Sequence, residues 1–267
     1  MYRLARRLDT ALAGRRLTHG RLQVAAHATA DLAGATVVGH DTHGKHLLTR
    51  FDTGDTLHTH LRMQGSWSTL RPGRRLPPHV RPDVRVVLAA DDGRTTYGLD
   101  LPVVDLLRTA DEATVVGHLG PDPLRPDWDA TEAARRFVRE PGRPLAAVLL
   151  DQRVVAGFGN LWANELCFLR GHSPWTPVAE VDVDKLLALG ARALRHSAHV
   201  RAAYQVTTGV ARRGESHWVT GRAGEPCRRC HTPVRVVAEV RDDPEQRRTW
   251  WCPSCQPGPA PSAARAS

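Results

Sequence analysis

Leu4, Leu8 and Leu12 recur every four residues, with Arg3, Arg6 and Arg7 off that stripe, which predicts an amphipathic helix over residues 3–13 ended by Gly14. From about Val24 to Gly117 the pattern changes to short β-prone runs: Ala35-Thr36-Val37-Val38, His46-Leu47-Leu48-Thr49-Arg50-Phe51, and Val84 to Ala90. Asp91-Asp92-Gly93 joins the last of these to Thr95 to Leu99 and reads as a hairpin turn. This half is expected to be a β-sandwich or barrel carrying one helix at its N-terminus. After Gly120-Pro121-Asp122-Pro123 helical periods dominate, over Thr131 to Arg139, Pro144 to Gln152, Leu161 to Leu169 and Val183 to His199. A Cys-containing segment, Gly221 to Gln256, follows, and the Pro-, Ala- and Ser-rich stretch Pro257 to Ser267 is expected to be a disordered tail. The fold class is α+β. The expected domains are a β-sandwich at 1–118, a helical domain at 127–210, a Cys-containing module at 211–256 and the tail at 257–267.

With 41% hydrophobic and 24% charged residues in 267, the composition is globular and excludes disordered and fibrous classes. No stretch reaches the roughly 18 to 20 apolar residues of a membrane span, and Met1 to Arg7 lacks an apolar signal core, so a cytoplasmic protein without membrane contact is expected. The charge of +9 fits nucleic acid, an anionic membrane surface or codon bias alike. Of 37 basic residues only Lys45 and Lys185 are lysine, which weakens arginine content as a clue and makes Lys45 stand out. Five cysteines without an export signal argue against a disulfide framework.

Cys227-x2-Cys230 and Cys252-x2-Cys255 form two thiolate pairs at the spacing with which each bites one tetrahedral Zn²⁺. Val234 to Val240 and Arg248 to Trp251 are β-prone, with Asp242-Asp243-Pro244-Glu245-Gln246 as the turn, so a structural metal should clamp the base of a hairpin. Arg241, Arg247 and Arg248 beside Trp250 and Trp251 make a mixture suited to phosphate and groove contact. Val155-Ala156-Gly157-Phe158-Gly159-Asn160 runs into a helix that Asn160 can cap, leaving first-turn N–H groups for an anion. An ordinary capped helix is the alternative. Lys45 lies on a tight loop between β-runs, either functional or merely solvated. His58 and His60, two apart on one strand, offer two metal ligands but no third.

In this order the segments resemble the formamidopyrimidine-DNA glycosylase and endonuclease VIII family of bifunctional DNA-repair enzymes over nearly the whole chain. His43-Gly44-Lys45-His46-Leu47-Leu48 is similar to its lysine loop, and His60-Leu61-Arg62-Met63-Gln64-Gly65-Ser66-Trp67 to its void-filling loop. Leu119-Gly120-Pro121-Asp122-Pro123-Leu124 resembles its domain junction. Leu149 to Gln152, through Asn160 and Glu165, resembles its helix-two-turn-helix element. Gly221 to Cys227 with Trp251 to Gln256 resembles its zinc finger. The resemblance implies excision of oxidised bases and cleavage at the abasic site, with an N-terminal proline attacking C1′ to give a Schiff base and an adjacent glutamate as acid/base partner. This sequence opens Met1-Tyr2-Arg3-Leu4, aligned just after the family's usual Met-Pro-Glu-Gly-Asp-Thr. A start assigned inside the gene is the favoured explanation and a real truncation the alternative; as written the chain is expected to bind DNA but cleave it poorly.

By resemblance, Lys45 contacts the phosphate beside the target and supports base excision. Met63, with Arg62 and Gln64, fills the gap left by the flipped nucleotide. Asn160 holds phosphate at a helix N-terminus. Arg247, five residues before Cys252, corresponds to the zinc-finger arginine, and Arg248 is the alternative, because the hairpin is longer than the family norm and Asp242, Asp243 and Glu245 near its tip repel phosphate. The implied protein is a monomeric, nucleoid-associated glycosylase and abasic-site lyase that binds damaged double-stranded DNA between its domains, with a lean to oxidised pyrimidines. The rival reading is a non-catalytic, zinc-containing damaged-DNA-binding protein.

Overall fold

The computed structural model describes residues 1–200, 205–239 and 247–261, and the chain divides into two compact units, Met1–His118 and Leu119–Ser267. The expectations for Arg241, for the turn Asp242 to Gln246 and for the end of the tail lie outside the described residues. No helix among the described residues is long and apolar enough to cross a membrane.

In the first unit, helix α1 (Tyr2–Leu12) buries Leu4, Ala5, Leu8, Ala11 and Leu12, the stripe the periodicity predicts. Two antiparallel four-stranded sheets follow. One has the order β1 (Leu17–Leu22), β6 (Val84–Ala90), β7 (Thr95–Leu99), β5 (Ser66–Leu70); the other runs β2 (Val37–His43), β3 (His46–Phe51), β4 (Asp55–His60), β8 (Val103–Arg108). Strict alternation along β6 turns Val84, Val86, Leu88 and Ala90 inward. Val86, Leu88 and Ala90 meet Leu17, Leu22, Val37, Phe51, Leu57 and Val104 in one core, so the arrangement is a sandwich. The predicted strand at Ala35 to Val38 instead starts at Val37 and continues to His43. Its polar end is no β signal in the sequence, but α1 holds it: Asp9 accepts from the His40 backbone N–H at 2.8 Å and faces the His40 ring at 3.0 Å. A short helix, α2 (Ala113–Val116), closes this unit.

The second unit is helical, with α3 (Ala130–Phe137), α4 (Leu145–Leu150), α5 (Asn160–Arg170) and α6 (Val183–His199), then a two-stranded hairpin of β9 (Arg235–Val237) and β10 (Thr249–Trp251). Trp162, Phe137, Phe158, Leu145, Leu149 and Leu166 fill its core. The loop from α4 to α5 is braced by Gln152, whose amide donates to the carbonyls of Leu150 and Phe158 and accepts from Gly157 N–H. Gly190 lets α6 approach that loop closely, since a Cβ there would lie 2.6 Å from Phe158 Cζ.

Candidate functional site

In the first unit the chemistry gathers where β2, β3 and β4 end. Lys45 is exposed in a two-residue turn with Gly44, joining His43 to its cross-strand partner His46. Gly44 has φ +57°, the left-handed conformation such a hairpin turn requires. One strand over, β4 ends at His60, the cross-strand partner of His46, and the chain turns through Arg62, Met63 and Gln64, all exposed, before Gly65 N–H closes onto Leu61 O at 2.8 Å. Met63 is 96% exposed, an apolar side chain with no part in folding. Arg62 has φ +44°, and its backbone N–H donates to His60 Nδ1 at 3.0 Å, so the histidine fixes the turn. The structure thus brings Lys45 and the Arg62-Met63-Gln64 turn to one end of one sheet, linked by His60.

Around this end cluster histidines that sequence reading did not assemble. His46 Nδ1 lies 2.8 Å from His58 Nε2, and His58 Nδ1 lies 3.1 Å from Asp105 Oδ2. The His60 and His118 rings stand edge-on to His46, at 4.9 and 6.2 Å between centroids. Burial first, then the neighbouring histidines, pushes His46 down to about 4. His60 is lowered by burial, then by Lys45, His58 and Arg62. The two-residue metal pair considered for His58 and His60 does not form. Both nitrogens of His58 already have partners, His60 Nδ1 is taken by Arg62, and among the described residues no metal-ligand group includes either.

In the second unit α5 organises everything that bears on a site. Its N-cap is Gly159, with no side-chain cap, so the expectation that Asn160 caps the helix is corrected. The Asn160 side-chain amide instead donates to Arg248 O at 2.9 Å, tying the hairpin to the helix start. Asn164 Oδ1 accepts from Trp250 N–H at 2.9 Å. Fully buried Glu165 accepts from the backbone N–H groups of Trp218, Val219 and Thr220 at 2.8 to 2.9 Å and from the Thr207 hydroxyl. The first-turn N–H groups of α5 have no partner within the helix, and with Asn160 beside them they offer an anion a positive helix end. Arg247 and Arg248 are both exposed; Arg247 faces Glu239 at 3.8 Å. The two tryptophans differ from expectation. Trp251 is buried, edge-on to Trp175 at 4.9 Å, and Trp250 packs on the cluster of Phe168, Val219 and the cysteines, so they support the hairpin rather than present themselves.

The Sγ atoms of Cys227, Cys230, Cys252 and Cys255 all lie within 4.8 Å of one another, with Cys227 to Cys255 at 3.9 Å and Cys230 to Cys252 at 3.4 Å. Four thiolates at about 2.3 Å from a tetrahedral Zn²⁺ would stand about 3.8 Å apart. The donor set and its spacing therefore fit such an ion. Cys167 is fully buried on α5 in the apolar core, away from this set.

Comparison with known proteins gives matches across both units. Residues 1–101 match the formamidopyrimidine-DNA glycosylase N-terminal domain and residues 119–196 the formamidopyrimidine-DNA glycosylase H2TH domain. The chain is 48% identical to a probable endonuclease 8 2 of Streptomyces coelicolor, over 98% of this chain and 94% of that protein. It is 40% identical to the DNA-(apurinic or apyrimidinic site) lyase Nei2 of Mycolicibacterium smegmatis, over 96% of each. Among solved structures, the MutM (Fpg) protein of Thermus thermophilus aligns at a TM-score of 0.73 and 29% identity, covering 96% of this chain and 97% of that one. A Lactococcus lactis Fpg complexed with abasic-site DNA shares the fold at 0.76 and 20% identity, over 96% and 97%.

Proposed function

The chain belongs to the formamidopyrimidine-DNA glycosylase and endonuclease VIII family, and from that premise we propose how its own residues serve the family's reaction. It is a base-excision repair enzyme, a DNA glycosylase with abasic-site lyase activity that acts on damaged double-stranded DNA. The observation that carries this is the 48% identity to an endonuclease 8 running through nearly all of both units. Lys45 meets a phosphate beside the damaged nucleotide. Its exposure on a two-residue hairpin turn supports that role, because the turn carries the ammonium at the sheet end beside the Arg62-Met63-Gln64 turn. Met63, flanked by Arg62 and Gln64, enters the duplex where the target base leaves, and the protruding apolar side chain supports that role because an emptied stack needs a hydrophobic filler. Asn160 and the first turn of α5 take a second phosphate. Arg248 is the better placed of the two hairpin arginines, because its backbone is bonded to Asn160.

Cys227, Cys230, Cys252 and Cys255 hold one Zn²⁺. A closed four-thiolate site leaves no position for substrate, so the ion's part is to fix the hairpin that carries Arg248 against α5. Metal analysis of the purified chain is expected to give one zinc per molecule, retained in Cys167→Ala and lost in Cys252→Ala. Zinc release by Cys167→Ala would overturn the assignment. The lesion preference is for oxidised pyrimidines, a reading supported by the resemblance of Arg62-Met63-Gln64 to the corresponding turn of endonuclease VIII. Duplexes carrying an oxidised pyrimidine or an oxidised purine, assayed for base release and strand scission with Met-Pro-Glu-Gly-Asp-Thr placed ahead of Met1 and the initiator methionine removed, test both levels. Preference for the purine sinks the lesion assignment alone, and specific binding to both without scission favours the non-catalytic binder.

A further inference from the structure

Asp105, His58 and His46 form a hydrogen-bonded chain that runs from β8 across β4 to the strand beginning at the Lys45 turn. Asp105 and His58 are direct cross-strand partners, His46 is the partner of His60, and the His46 and His58 rings stack at 5.1 Å with 13° between planes. His58 is buried, with its two ring nitrogens facing Asp105 and His46. A carboxylate only accepts hydrogen bonds, so His58 carries a proton on Nδ1. In the neutral ring its Nε2 then accepts from His46 Nδ1–H, and His46 Nε2 is left as an acceptor.

The same geometry admits one further proton. It enters at His46 Nε2, the Nδ1 proton of His46 passes to His58 Nε2, and the positive charge comes to rest on His58 against the Asp105 carboxylate. His46 ends neutral, with Nε2–H now a donor. The groups that face the pair are His43 and Lys45 from the β2–β3 hairpin, His60 from β4, His118 after β8, and Asp105, the carboxylate bonded to His58. Burial and the neighbouring histidines make the extra proton unfavourable until an anion arrives.

We propose that Asp105, His58 and His46 form a proton-uptake relay, through which His58 takes up one positive charge and His46, beside the Lys45 turn, presents one N–H donor when a DNA phosphate docks there. Arg62 extends the effect, since its turn is fastened to His60, the edge-on neighbour of His46. This inference rests on Lys45 meeting a phosphate, and His46 and His58 act as positioning residues that set the charge around it.

The test is equilibrium binding of the full chain to a duplex containing a tetrahydrofuran abasic-site analogue, between pH 5.5 and 8 and over a range of salt. Uptake of one proton on binding makes affinity rise as pH falls, approaching tenfold per pH unit. The logarithmic salt slope should steepen by roughly 0.9 from the alkaline to the acid end, one extra counterion released. Asp105→Asn keeps an oxygen for the His58 N–H but removes the charge, and His46→Phe removes the entry point. Each should abolish most of the pH slope. Ring ¹⁵N spectra give a readout independent of affinity: His58 and His46 both protonated at Nδ1 in the free protein, and His58 protonated at both nitrogens in the complex at pH 6. A wild-type affinity flat with pH, a slope that survives in either folded variant, or His58 neutral in the complex overturns the relay. Lys45→Ala at pH 8 separates this from the underlying reading. If it leaves the salt slope unchanged, the phosphate contact itself is wrong; if it flattens the slope while the relay variants behave as wild type, only the relay fails.

Discussion

Lys45 and Asn160 sit at comparable ends of secondary structure, yet their substitutions should fail differently. Lys45→Ala removes a cation and should flatten the logarithmic salt dependence of abasic-DNA binding by about 0.9, one phosphate contact. Asn160→Ala removes no charge but removes the hydrogen bond its side-chain amide donates to Arg248 O, so affinity should fall with little change in slope. Salt titrations of both variants decide, and equal slopes for wild type and Lys45→Ala would mark that lysine as solvated only. His46 makes a separate prediction about stability. Its folded pKa is lowered, from 6.5 to about 4, so between those values the unfolded chain binds more protons than the folded one. Its contribution is therefore intact above about pH 6.5 and is lost as pH falls toward 4; His40, His60 and His172, also lowered chiefly by burial, act in the same direction. The melting temperature should drop from pH 7 to pH 5, less steeply in His46→Phe, and an unchanged pH dependence in that variant would show that His46 is not the group responsible.

At the scale of elements, α5 is the second unit's organising piece. Asn160, Asn164, Glu165 and Phe168 reach the hairpin backbone, the 218–220 segment and the ring of Trp218 in turn, and Arg229 caps the Phe168 ring at 4.4 Å. Gly190 on α6 controls how closely the neighbouring helix packs. Alanine there would gain about 1 kcal/mol in helix propensity, but its methyl would meet the Phe158 ring in a filled core, where overpacking costs about 1 to 3 kcal/mol. Gly190→Ala should therefore lower the melting temperature by a few degrees, and a rise would mean that Phe158 can move aside. The strands at Val84 to Ala90 and Thr95 to Leu99 and the helix at Val183 to His199 were legible from alternation or period because one face of each is buried. The far half of β2 was not, since Gly39 to His43 owe their strand to pairing with β3 and to Asp9 of a distant helix. The cysteine quartet was legible from spacing because its ligands pair locally. The histidine chain was not, because Asp105 lies far from His46 and His58 in sequence and joins them only through strand register. The N-cap of α5 was misread for a related reason: the asparagine that looks like a cap is recruited by a carbonyl 88 residues away.

At the scale of the whole molecule, strand cleavage requires a nucleophilic amine as well as the phosphate contacts. Schiff-base chemistry near neutral pH favours an α-amino group, at roughly 7.7 to 8.0, over a lysine at about 10.4. Met1 is built into the helix start, where its carbonyl accepts the N–H groups of Leu4 and Ala5 and its side chain packs on the cluster of Leu4, Ala5, Leu8 and Leu47. An amine anchored there is held by α1 rather than carried on a free arm. Borohydride trapping on abasic-site DNA compares the two positions directly. Residues 1–267 beginning at Met1 are expected to give little covalent adduct, whereas placing Met-Pro-Glu-Gly-Asp-Thr ahead of Met1, with the initiator methionine removed to bare the proline, should give abundant adduct. Blocking that proline's amine should erase the gain while leaving abasic-DNA binding in place, since the phosphate contacts assigned to Lys45, Asn160 and Arg248 are untouched. Efficient trapping by the chain beginning at Met1 would overturn the positional argument and identify Met1 or Lys45 as the attacking amine, which Lys45→Ala would then distinguish.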